Sequence, residues 1–234
     1  MGTPAGMAGA LPNAIVIGAM KCGTTALHRY LHAHPMVRMA SGKEVNFFFG
    51  DDAPVSADSG QWWREGQWHR GVPWYASLFD RRAPVRGETS PGYTSPDHPG
   101  VAARMRAVVP EVRLLFLVRD PFARAVSQYL HHRREGSEHR PAAAAILDAT
   151  SQYVARSRYH ERLLPFLRCF APAQILVVVQ ERLLTSRRHQ LRRVYAHVGA
   201  DPDWWGRDVE RRWHVGGPHP ELDRRLRAAV IERI

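Results

Sequence analysis

The clearest chemical signal in the sequence is the stretch Gly18-Ala-Met-Lys21-Cys22-Gly23-Thr24-Thr25. Two glycines with four residues between them, followed by small hydroxyl residues, have the spacing of a phosphate-cradling loop. Glycine lets backbone N–H groups close around an anion, and a helix starting at Thr24 adds the partial positive charge of its N-terminus. The common Gly-Lys-Ser/Thr ending is replaced here by Gly23-Thr24-Thr25, and the lysine stands upstream at Lys21. The phosphate-bridging lysine and Mg²⁺-binding hydroxyl of an ATP or GTP hydrolase would both be misplaced. The pattern suits a ligand whose terminal group needs one cation on its bridging oxygen. The bland alternative is a structural glycine turn with an incidental lysine.

A second anion-binding pair lies further along. Arg119 follows the apolar run Arg113-Leu-Leu-Phe-Leu-Val118, and Ser127 falls two turns into the next helix. A guanidinium fork at a strand end and a hydroxyl on the adjoining helix can hold a second phosphate. Taken alone, Arg119 would sooner read as the partner of a carboxylate such as Asp120 or Glu88, and Arg124 reads as a structural partner. The chain has 13 histidines, with His28 and His32 one helical turn apart and His131 beside His132. No His-Glu-x-x-His or cysteine-rich spacing accompanies them, so no metal site is expected.

Several elements must position these residues. Ala14 to Ile17 reads as a buried strand entering the Gly18 turn, and Thr24 to Ala33 as a helix ended by His34-Pro35. Residues 51–75 read as irregular. Pro84 to Gly87 reads as a short strand, Val101 to Val108 as a helix and Arg113 to Val118 as the central strand. Asp120-Pro121 starts a helix with Asp as N-cap and Pro at the first position. Tyr153 to Phe170 is mostly helical, with a bend or break expected at Pro165. Ile175 to Val179 is a further buried strand and Ser186 to Val198 a basic helix. Pro220 to Ile234 carries an apolar stripe of Leu222, Leu226 and Val230. Strands separated by helices predict an α/β fold of the P-loop type: three layers, with a central, mostly parallel sheet flanked by helices. Residues 1–12 read as a loose tail and 13–234 as one domain.

With 234 residues, 44% hydrophobic and 24% charged, the composition is that of a globular domain with a full core. The net charge of +11 favours an anionic partner without choosing among nucleotide, acidic glycan, nucleic acid and membrane surface. No nucleic-acid motif accompanies it. The two cysteines, Cys22 and Cys169, imply no disulfide framework. The apolar run Ala14 to Ile17 is too short for a signal sequence or membrane span. A cytoplasmic protein without membrane insertion is therefore expected; the oligomeric state is not legible.

Ile15-Val-Ile-Gly-Ala-Met-Lys-Cys-Gly-Thr-Thr-Ala-Leu27 resembles the 5′-phosphosulfate loop of sulfotransferases that use 3′-phosphoadenosine 5′-phosphosulfate (PAPS). It is similar above all to heparan sulfate 3-O-sulfotransferases, N-sulfotransferase domains and their bacterial relatives. The resemblance continues in order through His34-Pro35, Lys43-Glu-Val-Asn-Phe-Phe48, Gly71-Val-Pro-Trp-Tyr75, Gly87-Glu-Thr-Ser-Pro-Gly-Tyr93, Leu117-Val-Arg-Asp-Pro121 and Ser157-Arg-Tyr-His160. It implies that Lys21, Cys22, Gly23, Thr24 and Thr25 bind the 5′-phosphosulfate, that Arg119 and Ser127 bind the 3′-phosphate, and that Glu44 is the general base. Lys21 would also act catalytically, on the leaving oxygen. No metal is implied. Lys43, Asn46 and Glu88 fall on the acceptor side or behind the site. The 3-O-sulfotransferases carry His two residues after the catalytic Glu, where this chain has Asn46, which cannot titrate. Related glycan enzymes often carry Lys after the Glu88 position, where this chain has Thr89. Glu88 is left with three roles: orienting Lys21, orienting an acceptor hydroxyl, or bracing the sheet.

The C-terminal stretch Val215-Gly-Gly-Pro-His-Pro220 keeps the family's His-Pro but lacks its Lys-Gly-Arg, and the chain stops at Ile234. Trp74 and Tyr75 match core positions, whereas Trp62, Trp63 and Trp68 could line an acceptor cleft. The expected acceptor is a hydroxyl or amine on a small molecule or glycoconjugate, carbohydrate or natural product, and the expected product is adenosine 3′,5′-bisphosphate. Two other classes compete: a P-loop nucleotide phosphotransferase, which needs a lysine after Gly23, and a non-catalytic binder of acidic glycan or nucleic acid.

Overall fold

In a computed structural model of the chain, residues 10–50, 66–211, 213 and 224–234 are described. The tail before residue 10, Trp62, Trp63, Arg212 and the Val215–Pro220 stretch lie outside them.

Five strands form one sheet in the order β2-β3-β1-β4-β5: β1 (Ala14–Gly18), β2 (Val37–Met39), β3 (Val85–Thr89), β4 (Arg113–Val118) and β5 (Ile175–Val179). Every pairing is parallel, so the sheet is wholly rather than mostly parallel. Its two central strands are apolar at almost every position because helices cover both faces: Ile15, Ile17, Leu114, Leu115 and Leu117 are fully buried. In register, Ile15 lies between Glu88 of β3 and Leu114 of β4.

The helices are α1 (Thr24–Ala33), α2 (Gly71–Ser77), α3 (Val101–Val108), α4 (Pro121–Arg134), α5 (Ala142–Ile146), α6 (Gln152–Ala155), α7 (Tyr159–Cys169), α8 (Gln180–Thr185), α9 (Arg187–Val198) and α10 (Arg224–Ile231). Asp120 caps α4 as its sequence position predicts, its Oδ1 accepting from the Ala123 N–H at 2.8 Å, with Pro121 in the first turn. The helical stretch expected over Tyr153–Phe170 is divided, but at Arg156–Arg158; Pro165 sits inside α7. The break falls where Ser157 turns inward, its N–H on the Val154 carbonyl and its hydroxyl on those of Tyr153 and Pro121. Residues 66–75 are not irregular: a 3₁₀ turn (Trp68–Arg70) leads into α2.

From β1 the chain moves to β2 on one side, and from β3 it crosses to β4 on the other. Between β1 and β4 lies the point where the winding reverses, and ligands of open parallel sheets bind at the strand ends there. The loop after β1 and Arg119 after β4 are the residues brought to that point. A smaller apolar cluster, Ala125, Val126, Tyr129, Ile146, Val154, Leu226 and Val230, ties α4, α5, α6 and α10 together beside it.

Candidate active site

The loop from β1 to α1 is shaped by left-handed backbone at Lys21 (φ 67°) and Gly23 (φ 86°). Glycine adopts that conformation without penalty; lysine does not. A Cβ on Gly18 would overlap the Thr94 hydroxyl, which fixes glycine at the strand end. The Ala19 N–H bonds to the Leu117 carbonyl (2.8 Å), anchoring the loop to β4, and the Cys22 N–H turns back to the Ala19 carbonyl (3.2 Å). No side chain caps α1 at Gly23, and first-turn amides have no acceptor within their own helix. The start of α1 therefore presents N–H groups, with Thr24 buried and Thr25 half-buried. Burial pulls the Lys21 ammonium down to about 8, helped by the nearby Arg134 charge.

Glu44 and Asn46 follow β2 on a turn that is also left-handed, at φ 64° and 53°. Its shape is held by β3: the Glu44 N–H bonds to the Thr89 carbonyl (2.8 Å) and the Asn46 N–H to Ser90 Oγ (3.1 Å). Lys43 Nζ donates both to Glu44 Oε1 and to Thr25 Oγ1, each at 2.9 Å. Lys43 thus ties the carboxylate to the first turn of α1. Glu44 and the loop share a cleft lined by Met20, Glu44, Asn46, Ser95, Asp97 and Arg156, among others.

Glu88 is fully buried inside three hydroxyls: Tyr75 Oη (2.5 Å) and Tyr93 Oη (3.0 Å) donate to Oε1, and Ser90 Oγ (2.8 Å) to Oε2. These described partners come from α2 and from the turn after β3, so Glu88 links those segments. Burial raises its carboxyl above the ordinary value, and the hydroxyl donors oppose that rise. Trp68 is half-buried and packs against the core on Phe47 and Phe48, at ring separations of 5.1 and 6.3 Å.

On the other side of the loop, Arg119 leaves β4 and Ser127 lies half-buried in the second turn of α4. Asp120, an alternative partner for Arg119, feels the Arg119 charge and also accepts from the Ala123 N–H and from both terminal nitrogens of Arg227, the latter at 3.2 and 2.8 Å. Glu88, the other alternative, is enclosed as described. Arg124 is structural, as its position suggests. It is fully buried, with Nε on Ser157 Oγ (2.5 Å), one terminal nitrogen on Gln128 Oε1 (2.7 Å) and the other on the Tyr153 carbonyl.

Sequence reasoning gave Tyr159 no role, and the structure gives it a central one. Its hydroxyl donates to the Arg119 carbonyl (2.9 Å), accepts from the Arg119 N–H (3.3 Å) and meets Cys22 Sγ (3.5 Å). One phenol therefore joins the two anion-binding segments. The only available signal was its place in the run Ser157-Arg-Tyr-His160. The Cys22 side chain faces this phenol and is buried, which pushes its thiol up to about 11. What Cys22 can offer an anion is backbone.

The model of the sulfotransferase family matches residues 12–204, which contain every residue of the site just described except Arg227. The chain belongs to the sulfotransferase family. Mouse heparan sulfate glucosamine 3-O-sulfotransferase 3B1 is 33% identical over 200 residues, 81% of this chain and 46% of that protein. Human bifunctional heparan sulfate N-deacetylase/N-sulfotransferase 2 is 25% identical over 82% of this chain and 22% of its own length. This sulfotransferase-family chain thus spans less than half the length of those curated relatives. A solved sulfotransferase from Alicyclobacillus acidocaldarius matches more evenly, at 26% identity and a TM-score of 0.78, covering 96% of this chain and 94% of that one. Family membership sets aside the nucleotide phosphotransferase.

Proposed function

We propose that this chain transfers the sulfuryl group of PAPS to a hydroxyl or amine of a carbohydrate or natural-product acceptor. The observation that carries the reading is the Lys43 bridge, which holds Glu44 against the loop that would cradle the donor. The residues fit that donor. The first-turn amides at Gly23, Thr24 and Thr25 and the Lys21 ammonium suit its phosphosulfate. Arg119 and Ser127 suit its 3′-phosphate.

In the proposed reaction Glu44 accepts the proton of the attacking O–H or N–H as the new bond to sulfur forms. The bond from sulfur to the bridging oxygen breaks on the opposite side. Lys21 neutralises the negative charge left on the departing 5′-phosphate, a preorganised electrostatic role. Asn46 orients by hydrogen bonding without titrating. Atoms and charge balance: adenosine 3′,5′-bisphosphate leaves, and the acceptor proton ends on Glu44.

The deciding experiment is calorimetry with adenosine 3′,5′-bisphosphate against 5′-AMP, followed by turnover of Glu44→Gln. Tight bisphosphate binding, much weaker AMP binding and a loss of at least about 10²-fold in kcat with bisphosphate affinity intact are expected. Equal affinity for the two nucleotides would remove the 3′-phosphate site, and near-native turnover of Glu44→Gln would remove the base.

A further inference from the structure

The cleft shared by Glu44 and the loop has a second carboxylate, Asp97. Asp97 follows the 3₁₀ turn Pro91–Thr94 and is 38% exposed at its side chain. Three donors converge on one of its oxygens: Ser95 Oγ (2.8 Å), Gln152 Nε2 (3.0 Å) and an Arg156 terminal nitrogen (3.2 Å) all reach Oδ2. Among the described residues none donates to Oδ1. Asp97 is thus immobilised through one oxygen while the other stays available to a partner. Burial pushes its carboxyl up, but the Ser95 hydroxyl and the Arg156 guanidinium outweigh it and hold the carboxyl below the ordinary range.

Two cations of this neighbourhood are already engaged. Arg156 lines the cleft but is buried at its side chain, donates to Asp97 and leans on the Met20 sulfur. Lys43 is committed to Glu44 and Thr25. The described lining therefore carries two carboxylates against one guanidinium that is paired with one of them. A sulfated or carboxylated glycan entering here would bring like charge against Asp97 and Glu44, whose described partners Arg156 and Lys43 are already engaged with them, and repulsion of that kind is how sites reject wrong ligands. A sugar hydroxyl, in contrast, is a donor that a fixed carboxylate oxygen accepts well.

We infer that the acceptor is an uncharged, hydroxyl-bearing glycoside rather than an acidic polysaccharide, and that Asp97 selects it by accepting a hydroxyl at Oδ1. The inference rests on the sulfotransferase reading of the site and narrows its acceptor. The test measures kcat/KM for transfer from labelled PAPS to a panel of neutral octyl glycosides and to an N-sulfated heparan-type oligosaccharide. It compares the native chain with Asp97→Asn and Asp97→Glu, and calorimetry with adenosine 3′,5′-bisphosphate runs beside it.

The native chain should prefer the neutral panel by about tenfold or more. Asp97→Asn should lower the neutral kcat/KM about tenfold, mainly through KM, as expected for losing a hydrogen bond to a charged group. The same variant should narrow the neutral-to-sulfated ratio, and Asp97→Glu should restore it in part. Bisphosphate affinity should stay within about twofold throughout. Preference for the sulfated oligosaccharide overturns the inference. So does an absence of transfer to any neutral glycoside while the bisphosphate binds, or an equal loss toward both acceptor classes in Asp97→Asn. Failure of the native chain to bind the bisphosphate would instead strike the underlying reading, and this inference with it.

Discussion

Lys21 can be interrogated without altering the chain, by raising the pH. Its ammonium sits at about 8 rather than at the ordinary 10.5, chiefly because it is buried and also because Arg134 is close. With that value, roughly nine in ten molecules carry the charge at pH 7 and about one in ten at pH 9. If Lys21 neutralises the donor, kcat/KM for PAPS should fall about tenfold between those two pH values and about tenfold more by pH 10. The neighbours whose values shift move away from that window. Burial pulls His28 down to about 4 and lowers His131 and His132 as well, while Cys22 is pushed up to about 11. The bound anion should raise the Lys21 value, so the alkaline limb of kcat should lie above that of kcat/KM. Lys21→Arg should remove the limb, and Lys21→Ala should lose at least about 10²-fold in turnover at pH 7. The sign for stability is set by the same shift. The folded value is depressed, so the cost of burying the charged amine disappears as pH rises from about 8 toward 10.5. Stopped-flow or coupled assays from pH 6.5 to 10 read the profile directly, and a flat kcat/KM between pH 7 and 9 would refute this account of Lys21.

Two further perturbations probe the frame around the site. Arg124→Met removes three hydrogen bonds from a fully buried position and takes one donor each from the Tyr153 carbonyl, Ser157 Oγ and Gln128 Oε1. A loss of about 3 kcal/mol in urea-unfolding free energy is expected, with no change in m-value. Glu88→Gln disturbs the three-hydroxyl cage and should cost about 2 kcal/mol. Because the folded Glu88 carboxyl lies above its ordinary value of 4.5, the native chain should lose stability as pH rises above 4.5 through the raised value. Thermal melts over acidic pH should show that slope in the native chain and its reduction in Glu88→Gln.

The sequence made some elements legible and hid others for identifiable reasons. The bounds of β4, α1 and α3 coincide with the stretches read from pattern alone, because β4 is a continuous apolar run and each helix lies between a glycine and a proline, Gly23 and Pro35 for α1, Gly100 and Pro110 for α3. Helix α8 was missed because Gln180 continues straight from β5 with no proline or glycine between them. The residues of the anion loop stand out because glycine spacing is a local signal. The placement of Glu44 is not local: it depends on a left-handed turn built without glycine and on a lysine reaching back to α1. The hydroxyl cage of Glu88 likewise combines α2, β3 and the turn after it, which no linear spacing encodes. Tyr159 escaped for the same reason, since its partners Cys22 and Arg119 lie 137 and 40 residues away.

Lys21, Glu44 and Asn46 all hold positive φ, a region in which a side chain is a burden and glycine is not. At these three positions, folding and chemistry favour different residues. A laboratory search for thermostable variants, left to follow stability alone, would drift toward glycine at Lys21 and Glu44. Each step would relieve backbone tension of about 1 kcal/mol while deleting a charge that the proposed reaction needs. A hardened but silent protein is the natural end of such a search, so selection for durability in this chain has to be paired with selection for turnover at every round.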